Sequence, residues 1–313
     1  MKKYLIFGIV LASIVACQNE EFLDYQLADP APRICLSGFV CPDSVFIVLT
    51  TNKKWMDTTK IKTQYLDNAQ VYLYENDLLI DTLKSMVVND VYDYYTRQKN
   101  PKQYYVSRKS YKVLCRYRIE AQCPGYPSVS AETYLPNPII LSRIDTSETI
   151  PTFQPQNITL SDTILIPLYN EKYWLFIGIQ ITDPSFEKNY YRVQCNPYYF
   201  FNTSIYDFNS DDYNNTLYWT RIFSDQRING ETITLLFQYY YSRYYDTTYL
   251  YLAAISEETH KFYTSYYKYS LNKFDITSER MQLYSNVVNG YGMFEGINEK
   301  RITLIAKPLW KNR

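Results

Sequence analysis

The sequence predicts an all-β protein: an immunoglobulin- or transthyretin-like sandwich followed by a second β-sandwich with one short helix. Three observations carry this prediction. Of 313 residues, 36 are Tyr and 18% are aromatic, a composition suited to the pleated, half-buried surface of a strand. From Pro32 onward, short apolar stretches alternate with period two and stop at Pro, Gly, Asn or Asp. One stretch, after Ser256, instead spaces its aromatics as a helix does.

The first element is a leader. Lys2 and Lys3 precede an apolar core, Tyr4 to Ala16, of about 13 residues. A bilayer needs roughly 20 helical residues, so this core is too short to span one and has the layout of a secretory signal over residues 1–16. Ile14-Val15-Ala16-Cys17 has the pattern of a bacterial lipobox. In that reading Cys17 takes a diacylglycerol thioether, is acylated again, and anchors the chain to outer-membrane lipid. Each buried CH₂ contributes roughly 0.8 kcal/mol, and two chains hold stably. Residues 17–31 then form a polar tether. Its acidic pair, Glu20 and Glu21, resembles the surface-export signal of Bacteroidota lipoproteins; without export the chain faces the periplasm.

Removal of the leader takes two lysines, leaving 30 basic against 32 acidic residues and a charge near −2. Nucleic-acid binders concentrate positive charge, so no nucleic-acid partner is expected.

Residues 32–138 read as the first domain. "RICLSGFV" and "VFIVLTTN" are split by the turn Cys41-Pro42-Asp43-Ser44. "AQVYLYEND" turns at Asn76-Asp77 into "LLIDTLKSM", a hairpin signature. Tyr117, Ile119 and Ala121 share a face, Pro124-Gly125 turns the chain, and Val129, Ala131 and Thr133 return. Pro136 and Pro138 break the pattern and mark the boundary. Residues 139–313 form the second domain. "YWLFIGIQITDP" is a nearly continuous apolar run, suited to a strand buried on both faces. Ser256 caps a helix over about 256–270, with Glu257 and Glu258 in its positive first turn. "NVVNGYGMFEG" reads as a tight corner in preference to a contact loop, and "KRITLIAKP" as the last strand.

Candidate sites are sparse. Cys35 and Cys41 share one strand, where six residues span roughly 20 Å, far beyond disulfide reach. Cys115 and Cys123 meet the same objection. Any bridge joins one pair to the other or uses Cys195; buried free thiols are the simpler expectation. His260, the sole His, lies in the helix and reads as a surface or interface residue. No HExxH, phosphate loop or dinucleotide fingerprint occurs, so neither catalysis nor a cofactor is expected. Asp207, Asn209 and Asp211 offer oxygen ligands at alternate positions, as Ca²⁺ favours. Asp212 stands where an EF-hand requires Gly and Tyr218 where it requires Glu, so a solvated loop is the better reading. In "FQYYYSRYYDTTYLYL" the aromatics must occupy both strand faces. One set fills core and edge; Tyr239, Tyr241, Tyr244 and Tyr245 are the candidates for an outer, binding face.

The order of "PRICLSGFVCPDSVFIV", "YRIEAQCPGYPSVSAETYLP", "ITDPSFEKNYYRV", "FSDQRINGETITLLF", "YLAAISEETHKFYTSYYKYS" and "SNVVNGYGMFEG" behind a lipobox resembles a Bacteroidota lipoprotein family, domain of unknown function 4249. The resemblance spans nearly the whole mature chain. It implies association with a TonB-dependent outer-membrane transporter and carries over no catalytic residues. The expectation is a lipid-anchored binding or accessory subunit. A surface polysaccharide or peptide hydrolase and a structural adhesin or assembly component are the alternatives.

Overall fold

The computed structural model describes residues 31–52, 64–93, 98–147, 163–168, 174–196, 201–203, 220–240, 247–272 and 282–308. Cys17, Glu20, Glu21, the Asp207-Asn209-Asp211 loop, Tyr241, Tyr244 and Tyr245 lie outside the described residues. The strands are β1 (Ile34–Cys41), β2 (Ser44–Thr51), β3 (Gln70–Glu75), β4 (Leu78–Thr82), β5 (Lys84–Asp93), β6 (Gln98–Ser107), β7 (Cys115–Gln122), β8 (Val129–Leu135) and β9 (Ile140–Ser147). The second half adds β10 (Thr163–Leu168), β11 (Trp174–Thr182), β12 (Tyr190–Asn196), β13 (Phe201–Thr203), β14 (Thr220–Ser224), β15 (Thr232–Tyr240), β16 (Thr247–Ile255), β17 (Val287–Val288) and β18 (Tyr291–Pro308). One α-helix, α1 (Glu257–Asn272), follows β16. Among the described residues no helix is long and apolar enough to cross a membrane.

The all-β expectation holds, and local signals place several elements well. Asn76 and Asp77 have φ of 46° and 68°, the left-handed pair that closes a two-residue hairpin between Glu75 and Leu78. Tyr117, Ile119 and Ala121 of β7 point inward with Val129, Ala131, Thr133 and Leu135 of β8. In β11 the expected burial of both faces is not found: Ile177, Ile179 and Ile181 enter the core while Gln180 and Thr182 on the other face are only partly buried, and Gly178 has no side chain to expose.

The three sheets make two sandwiches with a common wall. A nine-stranded sheet runs β14-β12-β16-β18-β1-β2-β6-β5, with β10 also paired to β18. The five-stranded sheet β17-β8-β7-β3-β4 packs against one end of it, around Leu36, Ile47, Leu73, Ile119 and Phe294. The four-stranded sheet β13-β15-β11-β9 packs against the other, around Ile177, Ile179, Leu235, Leu252 and Leu304. A third apolar cluster, Tyr190, Ile222, Ala253, Ile255 and Ile297 with Phe39 and Tyr263, covers the opposite face of the common wall beneath α1.

β18 joins the sandwiches. Residues 291–296 pair in parallel with β1, 297–305 antiparallel with β16, and 303–308 in parallel with β10. At about 3.3 Å per residue its 18 residues span roughly 60 Å. The Gly-flanked "GYGMFEG" is therefore no corner: it opens a single strand that continues through "KRITLIAKP". Met293 and Phe294 are buried. The reason is close backbone packing. Gly292 sits at φ +116°, where a Cβ would lie 1.8 Å from the Leu36 carbonyl oxygen. A Cβ on Gly296 would lie 1.9 Å from that of Tyr134, in the facing sheet.

Ser256 ties helix, wall and facing sheet together. Its Oγ accepts from the Thr259 N–H (3.2 Å), as a helix cap does, and from Thr133 Oγ1 (2.9 Å). Its own N–H donates to the Gly296 carbonyl (2.9 Å). Four of the cysteines are free thiols, the simpler expectation: Cys35, Cys41 and Cys115 are half-buried and Cys123 is buried.

Gly292→Ala should unfold the protein or cost more than about 3 kcal/mol in urea denaturation, because strain and backbone overlap coincide. Gly125→Ala, at φ +86° in open space, should cost only about 1 kcal/mol. Ser256→Ala should cost about 2 kcal/mol, through the lost cap and the stranded Thr133 hydroxyl.

Candidate functional site

The outer face of the common wall carries a buried charge cluster. β12, β16 and β18 run side by side, and Arg192, Ala253 and Glu299 fall in one cross-strand row. Neighbouring strands lie about 4.8 Å apart, so Arg192 and Glu299 are separated by roughly two such spacings. The methyl of Ala253 leaves room for the guanidinium to reach across. Arg192 Nη2 donates to Glu299 Oε2 (3.1 Å), and Nη1 donates to the Tyr263 hydroxyl of α1 (3.2 Å) and lies 3.8 Å from Glu295 Oε2. The Tyr263 ring lies beneath the guanidinium carbon at 5.9 Å.

Arg192, Glu295 and Glu299 border a cleft of about 650 Å³ shared with Phe39, Cys41, Asp43 and Ile297. Arg192 is only 9% exposed, and its Nε and Glu295 Oε2 are buried without hydrogen-bond partners. Burial pushes the Glu295 carboxyl above its usual range, against the opposing pull of Arg192. Burial also disfavours the Arg192 charge, but Tyr263, Glu295 and Glu299 outweigh it and hold the guanidinium firmly protonated. At the cleft edge Cys41 Sγ donates to Asp43 Oδ1 (3.0 Å), and burial raises this thiol, so it is a poor nucleophile.

Beyond the helix the same face carries tyrosines. In β16, Thr248, Leu250 and Leu252 point into the core, leaving Tyr249 and Tyr251 on the outer side. Their ring centroids are 6.5 Å apart, and Arg301 lies over Tyr249 at 5.3 Å. Tyr251, Glu299, Arg301, Thr163 and Thr303 line a shallow cleft of about 490 Å³. Other tyrosines do fill the core: Tyr105 donates to the Leu66 carbonyl (2.7 Å) and Tyr111 to Ser107 Oγ (2.6 Å), satisfying the hydroxyls they bury. Tyr239 pairs with Leu175 and Phe201 within its sheet. Sequence reasoning singled out neither Arg192, Glu295 and Glu299 nor the Tyr249–Tyr251 pair as a site. The available signal was the small Ala253 between long polar residues two strands apart.

His260 is a half-buried member of α1. Its N–H donates to the Ser256 carbonyl (3.0 Å), and its ring packs on Tyr190 at 4.7 Å. Among the described residues no group of three or more His, Cys, Asp or Glu is placed to hold a metal ion.

Arg192→Met should cost about 3 kcal/mol, because it leaves buried carboxylate charge unpaired. A second prediction follows from Glu295. A carboxyl raised on folding gives the native state the extra proton, so its contribution to stability falls as pH rises from the unfolded value through the folded one. The difference in unfolding free energy between Glu295→Gln and wild type should therefore shift in favour of the variant as pH rises through that window. Parallel pH curves for the two proteins would contradict it.

A family described as "Domain of unknown function (DUF4249)" matches residues 20–303. No curated protein matches the sequence. Among solved structures the chain is similar to Rst D1-D2, with 8% identity over 89% of this chain and 100% of that one and a TM-score of 0.19. It is also similar to the collagen adhesin (CNA) from S. aureus, with 7% identity, 87% and 95% coverage and a TM-score of 0.23. The Fcho1 mu homology domain of Danio rerio with bound Eps15 peptide gives 7% identity, 88% and 95% coverage and a TM-score of 0.19. At such scores these likenesses carry no argument.

Proposed function

The chain belongs to the family described as domain of unknown function (DUF4249), and from that premise we propose that it is a binding or accessory subunit of a TonB-dependent transporter, anchored in the outer membrane through Cys17 and displayed on the cell surface. The observation that best supports a binding role is the Tyr249–Tyr251 pair. Both rings stand on the outer face of a strand whose inner face already fills the core with leucines. Tyrosines held on a rigid sheet offer large amphipathic area at little entropic cost, and such residues are enriched at interfaces. Arg301 and Glu299 beside them supply hydrogen bonding and charge.

A second reading, a surface hydrolase, has one observation in its favour: Glu295 and Glu299 border the same cleft, as paired carboxylates do in glycosidases. Arg192 engages both, which fits a structural charge cluster better than an acid–base pair.

Cys17→Ser should abolish palmitate labelling and flotation with outer membranes; normal labelling would remove the anchor. Replacing Glu20 and Glu21 with Ala should lower protease accessibility on intact cells. The wild-type chain, extracted in mild detergent, should carry a TonB-dependent transporter, and its absence would remove the accessory role.

A further inference from the structure

On the outer face of the common wall one carboxyl lines a cleft without accepting a hydrogen bond. Phe39 of β1 and Glu295 of β18 are register partners, so their side chains stand on one face of neighbouring strands about 4.8 Å apart. Ile297 follows two residues further along β18, and the turn between β1 and β2 closes the near end with Pro42 and Asp43. The cleft of about 650 Å³ therefore has an apolar wall of Phe39, Pro42 and Ile297 facing Asp43, Glu295 and Glu299. Charge around it does not cancel: these three carboxylates border the cleft with one guanidinium, that of Arg192. Arg301, further along β18, lies over the Tyr249 ring and borders the neighbouring cleft instead.

Two of the three carboxylates have donors. Glu299 accepts from Arg192 Nη2 (3.1 Å), and Asp43 accepts from Cys41 Sγ (3.0 Å) and Ser44 Oγ (2.8 Å). Glu295 accepts no hydrogen bond among the described residues. Arg192 Nη1 stays 3.8 Å from its Oε2 and donates to Tyr263. The Glu295 side chain is 19% exposed and borders the cleft, so a ligand there reaches it. What would satisfy this carboxyl limits the ligand. The excess of carboxylates repels an anion, and among the described residues no group is placed to hold a metal ion. A neutral hydroxyl donates a hydrogen bond but leaves the charge uncancelled. An ammonium group brings three N–H donors and a positive charge together, and such charge-assisted bonds are the stronger kind. The Phe39 ring beside Glu295 offers apolar surface to methylenes attached to that ammonium. A cleft of this size holds a small molecule whole.

We infer that this cleft binds a small primary alkylamine, with its ammonium on Glu295 and its methylene chain along Phe39 and Ile297. The inference is independent of the transporter association.

The test is titration calorimetry on the full chain in mild detergent, with cadaverine as the probe and 1,5-pentanediol, the same chain with neutral ends, as its control. Cadaverine should bind saturably with a Kd of about 1 mM or tighter, and about tenfold tighter than pentanediol. No saturable heat from cadaverine up to about 10 mM, or equal binding of the two probes, would overturn the site. Glu295→Gln keeps the side-chain shape and removes its charge; it should weaken cadaverine about tenfold and leave the pentanediol response unchanged. Undiminished cadaverine binding by this variant, unfolding normally in urea, would overturn the role of Glu295. Should Glu295→Gln fail to fold, Asp43→Asn at the exposed rim carries the charge test: cadaverine weakened about threefold supports the site, and no change overturns it. Nα-acetyl-lysine methylamide presents the same ammonium on a peptide backbone and should bind more weakly than cadaverine. Tighter binding would overturn the small amine in favour of a lysine carried by a protein.

Discussion

The architecture depends on one backbone contact, the parallel pairing of β18 with β1. Leu36 meets Gly292 in register, and only a residue without a side chain can stand so near that carbonyl. Because the same strand then continues against β16, one covalent rod fixes the register of strands belonging to both sandwiches. The core of one sandwich includes Phe294 of this strand and that of the other includes Ile302 and Leu304, so both cores are built on β18. The parallel geometry also needs a long return connection. Here nearly the whole chain serves as that connection.

That constraint explains which features could be read from the sequence. Local signals act within one element or hairpin, and they were legible: the Asn76-Asp77 turn, the inward set of β7 and β8, the capped helix after Ser256. β18 was not legible as one strand, because its period-two pattern is interrupted by glycines, by the polar Asn298 and by charged residues at Glu295, Glu299 and Lys300. Glycine there signals proximity to another backbone, a tertiary fact, while the same residue elsewhere signals a turn. The buried Arg192 cluster was hidden for a related reason. Its members come from strands separated by more than 100 positions and meet only once three strands are placed in order.

The two polar investments of the molecule differ in kind. Around Arg192 one guanidinium faces two carboxylates: it hydrogen-bonds to Glu299 and Tyr263, while its Nε and Glu295 Oε2 are left without hydrogen bonds and Glu295 is reached through charge alone. Around Asp183 and Asp225 the carboxylates accept from the Gly230 and Asn189 N–H groups, and the result is a fixed loop between β11 and β12. Two desolvated aspartates there order a single short connection, and each is satisfied by hydrogen bonds instead of by a counter-charge.

The meeting of β1 and β18 also bears on how such a chain is made. The first-half core includes Phe294 from the other end of the chain, so that core cannot be completed while the chain is still emerging. Long-range pairing of this kind slows folding. For the exported, lipid-anchored role proposed above such a delay is useful: the first sandwich cannot close before β18 has been made, and until then its strands stay threadable.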